Sequence, residues 1–343
     1  MSDFNLVRKR FGKTAGLILL LLLLCALPLV VDNQYYVHLL IMAGINAVLA
    51  MTFTLLLRTG LISLANAAFW SFGAYTSTVA VMKLGMSFWL ALPLSALVAG
   101  IMGYVLGYLL VRNAGFSFLI LTSVLSMLIV LIYGNISWLG GYQGIEAIPP
   151  PDTIPIPYIG EIGFVSKAAF YYLMLLLVVI VMLAFSGFYK SWAGRAWRAI
   201  GLSPNLAESI GVNLRRYRLV AFAVSSGAAG LVGSFYAHYI GAVTPGSFGI
   251  FKTIHVHICA ILGGLGFAML GPIIGSLIMT FIPEMLRITG EIEPIFTGFL
   301  LIFLIKFLPG GVLSLIGKKK TKSDGVAAAS RTFKSLLSPD RRV

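Results

Sequence analysis

The chain reads as an all-α, polytopic membrane protein of about eight to ten transmembrane helices, with a broken or re-entrant segment and a short helix in a polar loop. Three observations predict this. Of 343 residues, 59% are hydrophobic and only 10% charged, far from the balance of a soluble domain. Apolar runs long enough to cross a hydrocarbon core recur along the chain. Lys and Arg sit in the gaps between those runs and at the two ends, and rarely inside them.

Residues 1–13 form a basic start containing Arg8-Lys9-Arg10. The run at 14–31 imitates a secretory signal, but it is long for a signal core and no small-x-small cleavage site follows it. It reads as a retained first span. Further spans are predicted at 36–57, 67–82, 88–111, 116–133, 168–188, 219–240, 253–269, 273–288 and 295–308. The last three are short and interrupted by Gly and Pro. An even count returns both termini to one side. With that side cytoplasmic, all of the 25 Lys and Arg except Lys83, Lys167, Lys252 and Arg287 lie inside. Asp32, Glu146, Asp152, Glu161, Glu284, Glu291 and Glu293 lie at or near the outer face. The membrane part, 14–317, thus carries an outer loop at 134–167 and a cytoplasmic loop at 189–218. Pro149, Pro150, Pro151, Pro155 and Pro157 stiffen the outer loop. A basic tail, 318–343, opens on Lys318-Lys319-Lys320; it reads as disordered and facing anionic lipid.

The loop at 189–218 holds Lys190, Arg195, Arg198, Arg215, Arg216 and Arg218 against the single acid Glu208. It also holds a helix with readable ends. Ser203 is an N-cap residue, Pro204 suits the first helical position, and Gly211 ends the turn. Leu206 and Ile210 share one face, beside Ala207 and Glu208. An apolar edge on a short ordered helix in a cytoplasmic loop predicts a docking knob for a cytoplasmic partner; the plainer alternative is a loop that only obeys charge bias.

Two stretches depart from plain bundle helices. Residues 58–69 mix small and polar side chains between two spans, as a broken helix does, and such backbone is tolerated in a membrane only inside protein or along a water-filled path. Gly263, Gly264 and Gly266, followed by Gly271 and Gly275, form a glycine-rich turn, and Gly103/Gly107 repeats the Gly-x-x-x-Gly spacing of Gly271/Gly275. These glycines predict close helix approach more than ligand contact.

Several chemistries are excluded. Phe11-Gly12-Lys13-Thr14 lacks the first glycine of a phosphate loop, since Val7 stands there, and Gly264 and Gly266 lack a dinucleotide-binding setting. Cys25 and Cys259 lie in apolar runs, and His255 and His257 face different sides of a helix, so no metal set is implied. His38 and His238, near outer span ends, read as interfacial or pore-lining. The one acid clearly inside a span is Glu284, with Arg287 three residues on as a helical partner. That poverty of buried charge argues against ion coupling. The net charge of +14 follows loop position, and is read as orientation signal and lipid contact, not nucleic-acid binding.

Taken in order, several segments resemble the membrane subunits of branched-chain amino-acid ATP-binding-cassette importers, specifically the M-type permease. They are Gly60 through Phe69 with Gly73-Ala74-Tyr75-Thr76, Gly140-Gly141-Tyr142-Gln143-Gly144-Ile145, Arg198-Ala199-Ile200-Gly201 and Ala207 through Asn213, and then Tyr236-Ala237-His238-Tyr239 and the two glycine clusters with Pro283-Glu284. The match runs from about Met42 to Leu315. Departures occur at Ile62, Ala65, Asn66, Leu139, Tyr142 and Gln143. The resemblance implies a bacterial inner-membrane permease without enzymatic activity or cofactor of its own. It pairs with a second, related permease. Two cytoplasmic ATPases bind ATP and Mg and push through the helix after Ser203. A periplasmic binding protein docks on the outer loop, near Glu146, Asp152 and Glu161. The implied cargo is a branched-chain amino acid; urea or a short amide, carried by relatives, is the alternative. A passive channel and a membrane-embedded enzyme are the readings from other classes. Ser63, Asn66, Ser71, Thr122 and Ser123 are candidates for the translocation path, with helix-to-helix hydrogen bonding as their alternative role.

Overall fold

The computed structural model describes residues 33–112, 115–156, 160–164, 166–285, 298 and 310–313. The expected spans at 14–31 and 295–308, the basic start and the tail lie outside these residues, as does Arg287. Among the described residues six helical stretches are long and apolar enough to cross a membrane, with a shorter apolar helix beside them. The polytopic α-helical class holds; a count of ten is not reached within this part.

Helix α1 (Gln34–Leu57) begins where the Asn33 side chain accepts the Tyr35 N–H. It is apolar on every side, and 83% of its membrane window is buried, so it is the central helix. After it the chain runs irregularly until α2 (Asn66–Met82). Helix α3 (Phe88–Leu110) lies at the periphery, with 28% of its window buried, and α4 (Phe116–Asn135) is similar at 33%. Helix α5 (Lys167–Lys190) leads into two short helices, α6 (Trp192–Leu202) and α7 (Pro204–Ser209). Helix α8 (Leu214–Ile240) follows, capped by the Asn213 side-chain Oδ1, which accepts the Arg216 N–H. It starts earlier than the apolar run at 219, because capping extends the helix back through the basic residues. Helix α9 (Ile250–Gly263) and α10 (Leu270–Met285) complete the described bundle. The span expected over 253–269 is thereby shortened: Gly264 takes φ 110°, which stops α9 and opens the turn to α10.

The proline-rich loop is more ordered than composition alone predicts. It contains a 3₁₀ turn (Ser137–Leu139) and a strand pair, β1 (Ile154–Ile156) with β2 (Gly160–Ile162), antiparallel with Ile154 opposite Ile162. Three-residue strands leave no readable alternation, so the sequence did not announce them. The loop is tied down at several points. Ile145 and Ile148 hydrogen-bond with Val243 and Gly241. His238 Nδ1–H donates to Pro149 O at 2.7 Å, while its Nε2 accepts from the Ser77 hydroxyl at 2.8 Å, and Ser234 in turn donates to Ser77. The Asp152 carboxylate accepts from Ser87 Oγ (2.6 Å) and the Phe88 N–H (3.1 Å), which caps α3. His238 is therefore a buried latch at the span end, and Asp152 is occupied within the chain.

Small residues set the spacing of the core helices. An added Cβ on Gly73 would lie 1.9 Å from Gly230 O, and one on Gly233 would lie 2.1 Å from Trp70 O, so α2 and α8 touch backbone to backbone. The two Gly-x-x-x-Gly pairs behave as predicted. Gly103 and Gly107 meet Ser226 and Phe222, and Gly271 and Gly275 meet the backbone of Gly264 and Cys259. Gly263 is equally tight, since an added Cβ there would lie 1.7 Å from Gly271 O, whereas Gly266 is exposed in the turn.

Gly73→Ala is expected to lower the melting temperature in detergent, at a cost of ~1–3 kcal/mol of overpacking or more. Gly187→Ala, where nothing lies within 4 Å, serves as control and leaves it unchanged. Equal melting of the two variants would mean that the α2–α8 contact yields freely.

Candidate functional site

The irregular segment between α1 and α2 passes through the bundle interior, where every backbone N–H and C=O needs a partner. Local sequence explains the break. Gly60 takes φ 74°, a conformation that L side chains rarely adopt, and Ser63 and Asn66 offer side-chain hydrogen bonds that compete with helical ones. The partners come from three other helices. Thr59 O accepts from Arg218 Nε (3.2 Å) at the start of α8. From α4, Thr122 Oγ1 accepts the Leu64 N–H (3.0 Å) and Ser126 Oγ donates to Leu64 O (2.6 Å). From α9, Thr253 Oγ1 accepts the Ala67 N–H (3.1 Å), and His257 Nε2 reaches Ser63 O (3.0 Å). Ser63 Oγ accepts the Ala65 N–H itself. A neutral His257 ring has one N–H to give, either from Nδ1 to Thr253 O or from Nε2 to Ser63 O, and it packs against the Phe53 ring with 3.8 Å between centroids. Ser63 O is bonded only when the ring proton sits on Nε2.

Four of the five predicted path residues gather here. Ser63, Asn66, Ser71 and Thr122 are all buried. Asn66 Nδ2 reaches toward Leu49 O at 3.5 Å, and Ser71 Oγ donates to Ala68 O at 2.6 Å. Their polar groups thus bind the break and its flanking helices. Ser123 is apart from them: it is half-exposed on α4 and, among the described residues, donates to Ile120 O of its own helix.

Beside the break stands an aromatic cluster that the sequence did not single out. Trp70 packs on Tyr236 and Phe248, and Tyr75 stacks on Tyr133 at 4.1 Å. The Trp70 indole N–H and the Tyr75 hydroxyl are buried without a hydrogen-bond partner among the described residues. A buried unmet donor costs ~1–3 kcal/mol, so each of these groups is kept at a cost to stability. Nothing in a lone sequence separates such aromatics from ordinary core.

The second part of the site is the basic loop. Ser203 Oγ accepts the Leu206 N–H, Pro204 opens α7, and Gly211 turns the chain at φ 86°, as the sequence predicts. Ala207 is buried beneath α7, while Leu206 and Ile210 are 65% and 70% exposed. The preceding α6 was legible only as a loop. It buries Trp197 and Ile200, and Trp197 Nε1–H donates to Tyr217 O at 2.8 Å. Its Gly201 lies so close to the end of α1 that an added Cβ would be 2.3 Å from Arg58 O. The Arg58 guanidinium lies over the Tyr189 ring at 4.3 Å. The loop that presents α7 therefore rests directly on the foot of the break, through Gly201 on Arg58 and Arg218 on Thr59. Among the described residues no group of His, Cys, Asp and Glu assembles into a metal site.

The family model described as the permease component of a branched-chain amino acid transport system matches residues 35–305. The chain is 26% identical over 309 residues to the high-affinity branched-chain amino acid transport system permease protein LivM of Escherichia coli (strain K12), covering 85% of this chain and 71% of that one. The protein of the same name from Salmonella typhimurium is 26% identical over 297 residues, covering 81% and 68%. No solved structure matches.

Removing a clasp side chain leaves a buried backbone group unmet, at ~1–3 kcal/mol each. Thr122→Val and His257→Ala should each lower the melting temperature, and their hydroxyl-bearing neighbour Ser123→Ala should not. The check is differential scanning fluorimetry in one detergent. Equal melting of Thr122→Val and Ser123→Ala would show that the Leu64 N–H is satisfied some other way.

Proposed function

We propose, for a chain that belongs to the permease components of branched-chain amino acid transport systems, that it carries a branched-chain or related amino acid inward using ATP hydrolysed by partner subunits. One observation carries the reading: a capped helix with two exposed aliphatic side chains stands on the foot of a broken membrane helix. Force applied at Leu206 and Ile210 has a short packed route, through α6 and Gly201 to Arg58 and through Arg218 to Thr59, into residues 59–66.

In this reading the basic end faces the cytoplasm, as the distribution of Lys and Arg favours. Both termini lie there, and the span count of about ten includes runs at 14–31 and 295–308. A second, related permease encloses the path with this one. Two ATPases bind ATP and Mg and seat α7 in a groove, while a periplasmic binding protein delivers cargo to the outer loop. The break, with Ser63 and Asn66, lines the path. The unmet donors of Trp70 and Tyr75 suit a carboxylate, and the surrounding rings suit an aliphatic side chain. A urea-type cargo would have less use for that apolar wall.

Uptake into vesicles holding the assembled complex is expected to require ATP and to persist when proton and sodium gradients are collapsed. Gradient-driven uptake without ATP would overturn the reading. Leu206→Ala combined with Ile210→Ala removes aliphatic area worth ~1.5–3 kcal/mol per fully buried side chain. That double variant should release the ATPase on co-purification or uncouple its hydrolysis from transport, with the permease still present in the membrane at normal levels. Glu208→Ala should do less, since an exposed ion pair contributes little. Unchanged co-purification and unchanged ligand-stimulated hydrolysis would remove α7 from the docking role.

A further inference from the structure

A cavity of about 550 Å³ opens between the foot of α3, the end of α7 and the start of α8. It is lined by Arg112, Arg215 and Arg218, with Glu208 as the one carboxylate. Arg218 is only 7% exposed, and its Nε–H is spent on Thr59 O. Among the described residues no carboxylate pairs with its remaining nitrogens. Arg215 lies over the Tyr108 ring at 4.1 Å and donates through Nη2 to Tyr108 O, yet its Nε is buried with no partner. Asn213 and Leu214 add the positive N-terminal turn of α8, a helix of 27 residues, to the same wall. Three guanidinium groups against one carboxylate, one of them nearly buried and another with an unmet donor, make a site for a phosphate-type anion.

The position of the cavity selects among anions. It lies directly below an apolar, outward-facing strip of α3, where Tyr104, Val105, Tyr108 and Leu109 are all more than half exposed. The helix bearing that strip is among the least buried spans. An acyl chain can lie along this strip while a headgroup occupies the cavity, with Tyr108 at the level where aromatic rings favour the membrane interface. We propose that Arg112, Arg215 and Arg218 form a binding site for the phosphate headgroup of an anionic phospholipid of the cytoplasmic leaflet. The leaflet rests on the orientation argued above; the charge and shape of the cavity do not.

The test uses the purified full-length permease, stripped of lipid in a neutral detergent, without ATPase or transported ligand. Its outcome is therefore separate from the transport reading. Phosphatidylglycerol, phosphatidylcholine and inorganic phosphate are titrated separately, and melting temperature and native mass spectrometry report binding. Phosphatidylglycerol should raise the melting temperature saturably and the other two should not. Arg112→Gln with Arg215→Gln should weaken that binding about thirtyfold, from the loss of two interfacial cations. Glu208→Gln should tighten it, which gives an independent reading if the double variant folds poorly. An equal shift with inorganic phosphate alone would make the cavity a soluble-anion site and overturn the lipid assignment. So would phosphatidylglycerol binding that survives the double substitution.

Discussion

Backbone polarity in a membrane interior is the constraint on which the rest of this structure depends. A helix meets it without help; the segment between α1 and α2 does not, and each group it frees must be met from elsewhere. Thr122 and Ser126 on α4, Thr253 and His257 on α9, and Arg218 on α8 supply the answer from three directions. The break is thereby a joint, since its geometry is fixed by side chains from three helices. Displacing any one of them changes which backbone groups are satisfied. Unmet groups cost ~1–3 kcal/mol each, so the segment and the helices around it are held to one another.

The same logic explains why the basic loop is ordered. Trp197 and Ile200 bury α6 against the bundle, Gly201 removes the side chain that would hold α6 away from Arg58, and Ala207 seats α7. What remains outside is the Leu206–Ile210 edge. Rigid small-residue contacts between α2 and α8, at Gly73, Gly230 and Gly233, leave little room for α8 to flex on its own. The loop therefore bears on the end of α1, and its last residue bonds Thr59, where the break begins. At the other end of the bundle, the His238 latch and the Asp152 cap hold the proline-rich loop to α8 and α3. Both ends of the bundle are tied to the same long helix.

Features written in local chemistry were legible in the sequence. The ends of α7 follow from Ser203, Pro204 and Gly211, and the close approaches at Gly103, Gly107, Gly271 and Gly275 follow from spacing. The position of the break followed from Gly60, Ser63 and Asn66. Its clasp did not, because Arg218 is 159 residues from Thr59 and His257 is 194 from Ser63, and no local pattern reports such pairs. Helix α6 escaped notice because its apolar face is narrow and lies among arginines. The β1–β2 pair is too short for any period to show. Asp152 read as a surface acid, since a helix cap donated from 64 residues away leaves no trace in neighbouring residues. Trp70 and Tyr75 differ from core aromatics only in lacking partners, which is a property of the fold.

In the proposed transport cycle the basic loop and the broken segment move as one. Hydrogen–deuterium exchange on the assembled complex, with and without ATP, tests it most directly. The peptide covering residues 58–67 should be protected without nucleotide, despite its irregular backbone, and should exchange faster when ATP drives the ATPases together. An ATP-dependent change confined to residues 191–211, with 58–67 unaltered, would contradict the account.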